Sequence, residues 1–247
     1  MRNAWKAITN FIETNMFNRE QHKVILVRIL KELYTSPALR TLLGFKGGTA
    51  AYLFYDLPRV SVDLDFDLLG ENKKMEVFHE VEKILLQFGK LSEAIEKRNT
   101  LFFLLSYGKG ERKIKVEISK RPPDSSFEVK SYLGIPVLLM KKEDMAANKL
   151  SAFLTRKKFA SRDLFDLWFF LKNNWSINEK VIVSRSEFTL KQALENAVKK
   201  IEKIKSSSLL HGLGELVSDK QKIFIKEKLK DELLFSLKLY LSIKYKG

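Results

Sequence analysis

Apolar positions along this chain follow two different periods, and the changeover between them divides it. Over residues 19–34 they recur at helical spacing, with Asn18 as the N-cap and Ser36-Pro37 as the stop. Residues 5–17 share that spacing, so a helical lead-in packed on a sheet is predicted. A short apolar strand follows, then a glycine turn at Gly47, Gly48 and Thr49 that opens a helix, then a break at Pro58. The stretch SVDLDFDLL alternates residue by residue. Side chains on a strand point to its two faces in turn, so Asp63, Asp65 and Asp67 share one face while Leu64, Phe66 and Leu68 share the other. Residues 73–88 return to helical spacing, with Val77, Val81, Ile84, Leu85 and Phe88 in one stripe and Gly89 as the C-cap. Three strands are predicted beyond it, over 94–98, 100–107 and 113–120. The last places Ile114, Val116 and Ile118 on an apolar face and Lys113, Lys115, Glu117 and Ser119 on a polar one. An extended return over 127–139 turns near Gly134. From Lys141 onward every segment reads as helix: 143–155, 162–171, 190–205 and one long helix over 220–245, with Ser206 to Ser208 as a flexible joint. These patterns predict an α/β lobe over 1–140 and a helical lobe over 141–247.

At 247 residues, 45% of them hydrophobic and only five proline, the chain can bury an ordered core. No apolar run reaches the roughly 20 residues that span a bilayer. The first residues carry Glu13 and no small-residue cleavage site, so a cytoplasmic protein with no membrane partner is expected. Cysteine is absent, which excludes disulfides, thiolate zinc sites and cysteine nucleophiles; with only three scattered histidines, any metal is held by oxygen. Forty-five Lys and Arg against thirty Asp and Glu give a net charge of +15, which favours polyanionic partners, nucleic acid first. Residues 180–247 are the densest basic region, with fifteen Lys and Arg against eight Asp and Glu. A solvated helix face has the same composition, so these lysines mark either an RNA-binding surface or plain solvation.

Three carboxylates within roughly 13 Å on one strand face repel one another, and a divalent cation is the partner that relieves them. A glycine pair before a hydroxyl residue at a helix N-terminus lets backbone amides approach a phosphate, with Thr49 adding its hydroxyl. On neighbouring strands, turn and carboxylates make a platform for a nucleoside triphosphate and its Mg²⁺ ions. Asp63 and Asp65 bridge two such ions in this reading, Glu117 completes the shell of the second, and Asp67 supports them from the strand end. One ion orients the triphosphate and leaving pyrophosphate; the other activates an acceptor hydroxyl for in-line attack on the α-phosphorus. Glu117 also reads as a surface glutamate paired with Lys115 or Lys113.

The run KGGTAAYLFYDLPRVSVDLDFDL resembles the signature of the AbiEii type of toxin nucleotidyltransferases, which includes the MenT toxins, within the DNA polymerase β-like superfamily. That signature is a glycine followed by Gly or Ser, an intervening stretch, then Asp-x-Asp; here Thr follows the glycine pair where Ser is usual. The stretch EDMAANKLSAFLTRKKFASRDLFDLWFFL resembles the family's second block. Lys149 matches its helix lysine, and Arg162, Asp163 and Asp166 match its Arg-Asp-x-x-Asp. The resemblance implies a polymerase β-like mixed sheet flanked by helices, followed by a helical C-terminal lobe that completes a cleft. It implies an NTP-dependent, pyrophosphate-releasing nucleotidyltransferase with Asp63, Asp65, Glu117, Lys149 and Asp166 in catalysis and metal on Asp63, Asp65 and Glu117. Nucleotide contacts would come from Lys46, Gly47, Gly48, Thr49, Ser61, Lys149, Arg162 and Asp163. The cofactor would be Mg²⁺ as two ions, or Mn²⁺; the acceptor a tRNA 3′ end; the silencing partner an antitoxin encoded nearby. Locally, Arg162 and Asp166 stand four apart and also read as a plain ion pair, and Asp163 and Asp166 suit a first helical turn whatever their function. Adenylylation of a small molecule or protein, or a non-catalytic nucleotide-binding module, are the competing functions. The charge of +15 speaks against a small acceptor, and the intact Asp63, Asp65 and Glu117 against a relict site.

Overall fold

The computed structural model describes residues 18–245, so the helix expected over 5–17 lies outside the described residues. The chain divides into two compact units, neither contiguous in sequence. One holds the described residues up to Thr49, Val62–Pro122 and Val129–Leu138; the other holds Ala50–Ser61, Pro123–Glu128 and the residues from Leu139 on.

The first unit is built on a seven-stranded mixed sheet. Its strands are β1 (Leu43–Lys46), β2 (Leu64–Leu68), β3 (Lys90–Glu96), β4 (Thr100–Ser106), β5 (Ile114–Ser119), β6 (Phe127–Tyr132) and β7 (Ile135–Met140), in the order β3-β4-β5-β2-β1-β7-β6. β2 runs antiparallel to β1 and parallel to β5. A parallel pair needs a crossover, and helix α3 (Lys74–Leu86) with β3 and β4 supplies it. Alternation decides burial: Leu64 and Phe66 of β2, Leu101, Phe103 and Leu105 of β4, and Ile114, Val116 and Ile118 of β5 are all buried. The helical lead-in α1 (Arg19–Thr35) adds Leu26, Ile29, Leu30 and Leu33 to that core. Its N-cap is Asn18, whose side chain accepts from Gln21 N at 3.0 Å. Tyr34 donates its hydroxyl to the carbonyl of Leu43 at 2.7 Å and tilts its ring towards Phe66, binding the end of α1 to the central strands.

One expected strand differs. The one placed over 94–98 begins at Lys90 and carries a bulge between Leu91 and Glu93; its exposed alternation is that of an edge strand, which the apolar count underweights. The extended return over 127–139 turns where expected, as two strands reversed through Leu133 at φ 49° and Gly134 at φ 81°.

The second unit is helical: α4 (Lys142–Thr155), α5 (Ser161–Lys172), α6 (Glu179–Ser186), α7 (Leu190–Glu202), α8 (Asp219–Glu227) and α9 (Leu229–Tyr245), together with most of α2 (Gly47–Phe54). Thr189 with Gln192 and Ser218 with Gln221 form capping boxes that start α7 and α8. The single helix expected over 220–245 breaks at Lys228, so α8 and α9 are separate, and Ser206–Ser208 is a 3₁₀ turn. Asp144 is fully buried, yet its carboxylate accepts from Ser126 N at 2.5 Å and from the Asn178 side chain at 2.6 Å. The segment before β6 is thereby tied to α4 and to the cap of α6.

Candidate active site

The pairing of β1, β2 and β5 builds the acidic site. Lys46 stands opposite Asp65 on β1, and Glu117 stands beside Asp65 on β5. Register partners face the same side of a sheet, so Glu117 joins the aspartate face because of the parallel pairing of β2 and β5. Asp63 lies one residue ahead of β2. The Lys115 ammonium sits 2.8 Å from a Glu117 oxygen and 3.4 Å from an Asp63 oxygen, so those two carboxylates already share one cation. Burial raises the pKa of Asp65; Lys115 opposes the rise, while Asp63 and Glu117 add to it, and the net shift is upward. Burial by itself depresses the Lys115 ammonium, but Asp63 and the hydrogen bond to Glu117 outweigh it and hold that lysine charged. Among the described residues, no three acidic or histidine side chains stand together in an arrangement that could hold a metal as they are.

The glycine turn meets this site directly. Gly47 has φ +82°, and a Cβ added there would lie 2.7 Å from an Asp65 carboxylate oxygen. Both the backbone conformation and the contact require glycine. Thr49 is fully buried and donates its hydroxyl to the carbonyl of Asp63, while His22, also buried, contacts the carbonyl of Val62 at 3.0 Å. Two consecutive carbonyls ahead of β2 are thus held by side chains of α2 and α1. Ser61, two residues before Asp63, is buried as well.

In the helical unit a second ionic cluster surrounds Asp166. Arg59 donates to it through Nε at 2.5 Å and Nη2 at 2.7 Å, a bidentate contact between two buried groups. The Lys149 ammonium lies 2.9 Å from Asp166 and 3.0 Å from Asp163, and Arg156 reaches Asp163 at 3.3 Å. Burial alone would raise Asp166, but Arg59 and Lys149 hold it down to about 2. Lys149 shows the mirror effect: burial pulls it down, Asp166 and then Asp163 push it back, and the net shift is upward.

Several expected roles change on this geometry. Asp67 does not add to the acidic site: it is fully buried and ion-paired with Lys46, whose ammonium is therefore engaged. The Thr49 hydroxyl is donated to the main-chain carbonyl of Asp63. Asp166 pairs with Arg59 and Lys149 and not with Arg162, which is half-buried on α5. Arg59 carries no sequence signal of its own, because it follows Pro58 in an irregular stretch and its partner lies 107 residues away.

The family model described as nucleotidyl transferase AbiEii toxin, type IV TA system, matches residues 28–234. Among solved structures, JHP933 of Helicobacter pylori is similar at 27% identity and a TM-score of 0.63, with 92% of this chain and 94% of that one covered. A putative nucleotidyltransferase of H. pylori is similar at 25% identity and a TM-score of 0.62, covering 92% and 96%. The nucleotidyltransferase toxin MenT4 of Mycobacterium tuberculosis H37Rv shares the fold at 16% identity and a TM-score of 0.56, covering 92% and 89%. No curated protein sequence matches the chain.

Proposed function

The chain belongs to the AbiEii nucleotidyltransferase toxin family, and from that premise we propose that it moves a nucleotide from an NTP to a hydroxyl at a tRNA 3′ end, releasing pyrophosphate. The observation that carries this reading is the register that sets Glu117 beside Asp65, with Asp63 and Glu117 converging on one positive charge. The donor set fits Mg²⁺ or Mn²⁺: every ligand would be a hard carboxylate oxygen, Asp63 and Glu117 share the one Lys115 ammonium, and the pKa of Asp65 stays raised despite Lys115 and Lys46. A metal held by these carboxylates would take the place of the Lys115 ammonium at Asp63 and Glu117. When bound, the metal supplies Lewis-acid stabilisation of the triphosphate and lowers the pKa of the acceptor hydroxyl.

The chain's own residues do the positioning. Gly47 removes the side chain that would block Asp65, and the first amides of α2 offer a cradle for phosphate oxygens next to that carboxylate. Thr49 and His22 fix the main chain ahead of Asp63, so its carboxylate stays within reach of Glu117 through a shared cation. Lys149, kept protonated by Asp163 and Asp166, is the cation we assign to the triphosphate, with Arg59 holding Asp166 in place beneath it. An antitoxin is the partner that membership of this family leads us to expect. Among the described residues, no helix is long and apolar enough to cross a membrane.

The test is Mg²⁺-dependent labelling of a tRNA pool with each NTP in turn. Labelling by the wild type that disappears in Asp65→Ala and Glu117→Gln is the expected result. Labelling that persists in either variant, or that needs no divalent cation, sinks the assignment.

A further inference from the structure

Resting on the nucleic-acid acceptor proposed above, we infer that the loop between α4 and α5, together with the C-terminal end of α7, receives the single-stranded end of the acceptor, with a base stacked on Phe159. Arg156, Lys157, Lys158 and Phe159 are consecutive and exposed, Phe159 by 43%. A lone exposed phenylalanine is ordinary on a protein surface. Its surroundings set this one apart.

Lys200 donates to the carbonyls of Phe153 at 2.6 Å and Leu154 at 3.1 Å, and the Ser161 hydroxyl donates to the carbonyl of Ser208 at 3.3 Å. The end of α7 and the turn that follows it are thereby fastened to both ends of the loop. Two basic stretches more than forty residues apart in sequence become one surface: Lys157 and Lys158 from the loop, Lys203 and Lys205 from beyond α7, all exposed. None of the four ammonium groups has an ion-pair or hydrogen-bond partner among the described residues. Further along, Lys222 pairs with Asp219, Lys238 with Glu202 and Lys244 with Glu179, while Lys230 donates to the carbonyls of Glu202 and Ile204. Lys200 is likewise spent on α4. Lys157, Lys158, Lys203 and Lys205 therefore leave four uncommitted charges on the two segments that Lys200 and Ser161 fasten together.

Phosphates answer the four ammonium groups, and a base answers the exposed ring. Single-stranded nucleic acid offers both at alternating positions along one chain, which duplex DNA does not. A lipid surface would call for several apolar side chains on one face, and an acidic peptide has no use for the ring. The loop also begins at Arg156, whose guanidinium reaches Asp163, the residue that shares Lys149. An acceptor end lying here is one residue from the cluster assigned to the triphosphate.

The experiment is fluorescence anisotropy of a short labelled single-stranded RNA with a free 3′ hydroxyl, titrated with the whole protein across a series of salt concentrations. Phe159→Ala should weaken binding about tenfold without changing the salt slope, and Phe159→Trp should restore it. Lys157→Ala with Lys158→Ala should make the slope of log K against log salt shallower by about 1.4, at about 0.7 per phosphate contact on a single strand. Melting temperature and NTP binding should stay at wild-type values in all three. RNA binding that is unchanged in Phe159→Ala and in the double variant overturns the platform while leaving the RNA acceptor standing. The same holds if the variants lose affinity for phosphatidylserine vesicles and keep it for RNA, which would give the loop to a membrane. Failure of the wild type to bind the RNA removes the acceptor reading and the platform with it.

Discussion

Asp166 is fully buried and Asp65 half-buried, and their protonation equilibria move in opposite directions. At Asp65, burial and the neighbouring Asp63 and Glu117 raise the pKa against Lys115. At Asp166, a stronger pairing with Arg59 and Lys149 overcomes burial and brings it to about 2. The sheet site gathers three acids around one lysine; the helical site gathers two acids among Lys149, Arg59 and Arg156. A site left short of positive charge gains free energy when a cation arrives, whereas an electrically closed one loses it when any member is removed. The contrast separates residues that act on a ligand from residues that hold other residues in position.

The sharpest way to break this contrast is to delete one acid from each side. Asp65→Ala should abolish nucleotide transfer while leaving the melting temperature level or higher, since it relieves repulsion. Asp166→Ala should instead cost about 3–5 kcal/mol of stability, because buried Arg59 loses its bidentate carboxylate. Chemical denaturation alongside tRNA labelling decides; two variants with the same stability would erase the distinction. Lys149→Ala tests the boundary between the two classes. Transfer per folded molecule should fall by about 1.5–3 kcal/mol of transition-state stabilisation, the worth of a charged hydrogen bond. Retention of kcat/KM for the NTP within about twofold would make Lys149 a purely structural member of the Asp166 cluster.

Gly47→Ala probes the sheet site through its geometry. With φ +82° and a Cβ 2.7 Å from the Asp65 carboxylate, the variant should lose about 1–3 kcal/mol of stability. It should lose proportionately more transfer activity, because Asp65 is what must move. A variant with full activity would show that the carboxylate's position is not critical. The mildest test uses acid. Asp166 is depressed in the folded state, so its contribution is complete above about pH 4 and is lost as pH falls through its folded value of about 2. That limb is worth about 2 kcal/mol. Asp166→Asn should be less stable above about pH 4 and lack this part of the decline, so that the difference from the wild type narrows as pH falls towards 2, as read from urea denaturation across that range.

Much of the acidic site was legible because its signal is periodic. Alternation along SVDLDFDLL and along residues 113–120 assigns faces without knowledge of partners, and Glu117 follows once β2 and β5 are neighbours. The limits of α5 and the start of α7 likewise follow from apolar spacing, whereas α7 ends at Glu202, short of the expected 205. What stayed hidden is long-range pairing of single side chains. The positions of Arg59, Lys46 and Lys200 say nothing about Asp166, Asp67 or the carbonyls of Phe153 and Leu154, because periodicity carries no information on which charge meets which. The α8 and α9 break at Lys228 was hidden for another reason: no glycine or proline marks it, and apolar spacing continues across it. The short α6 has an Asn178 cap in plain view, but eight residues are too few for a periodic signal to stand out.

The chain leaves the sheet unit after Thr49, returns at Val62, and passes between the units again at Pro123, Val129 and Leu139. Recombination at one breakpoint therefore cannot trade either unit as a cassette between homologues. A crossover near residue 140 would carry Arg59 from one parent and Asp166 from the other, so the two must be inherited as a matched set. The buried pair of Arg59 and Asp166 thus couples two stretches of the gene that lie 107 residues apart.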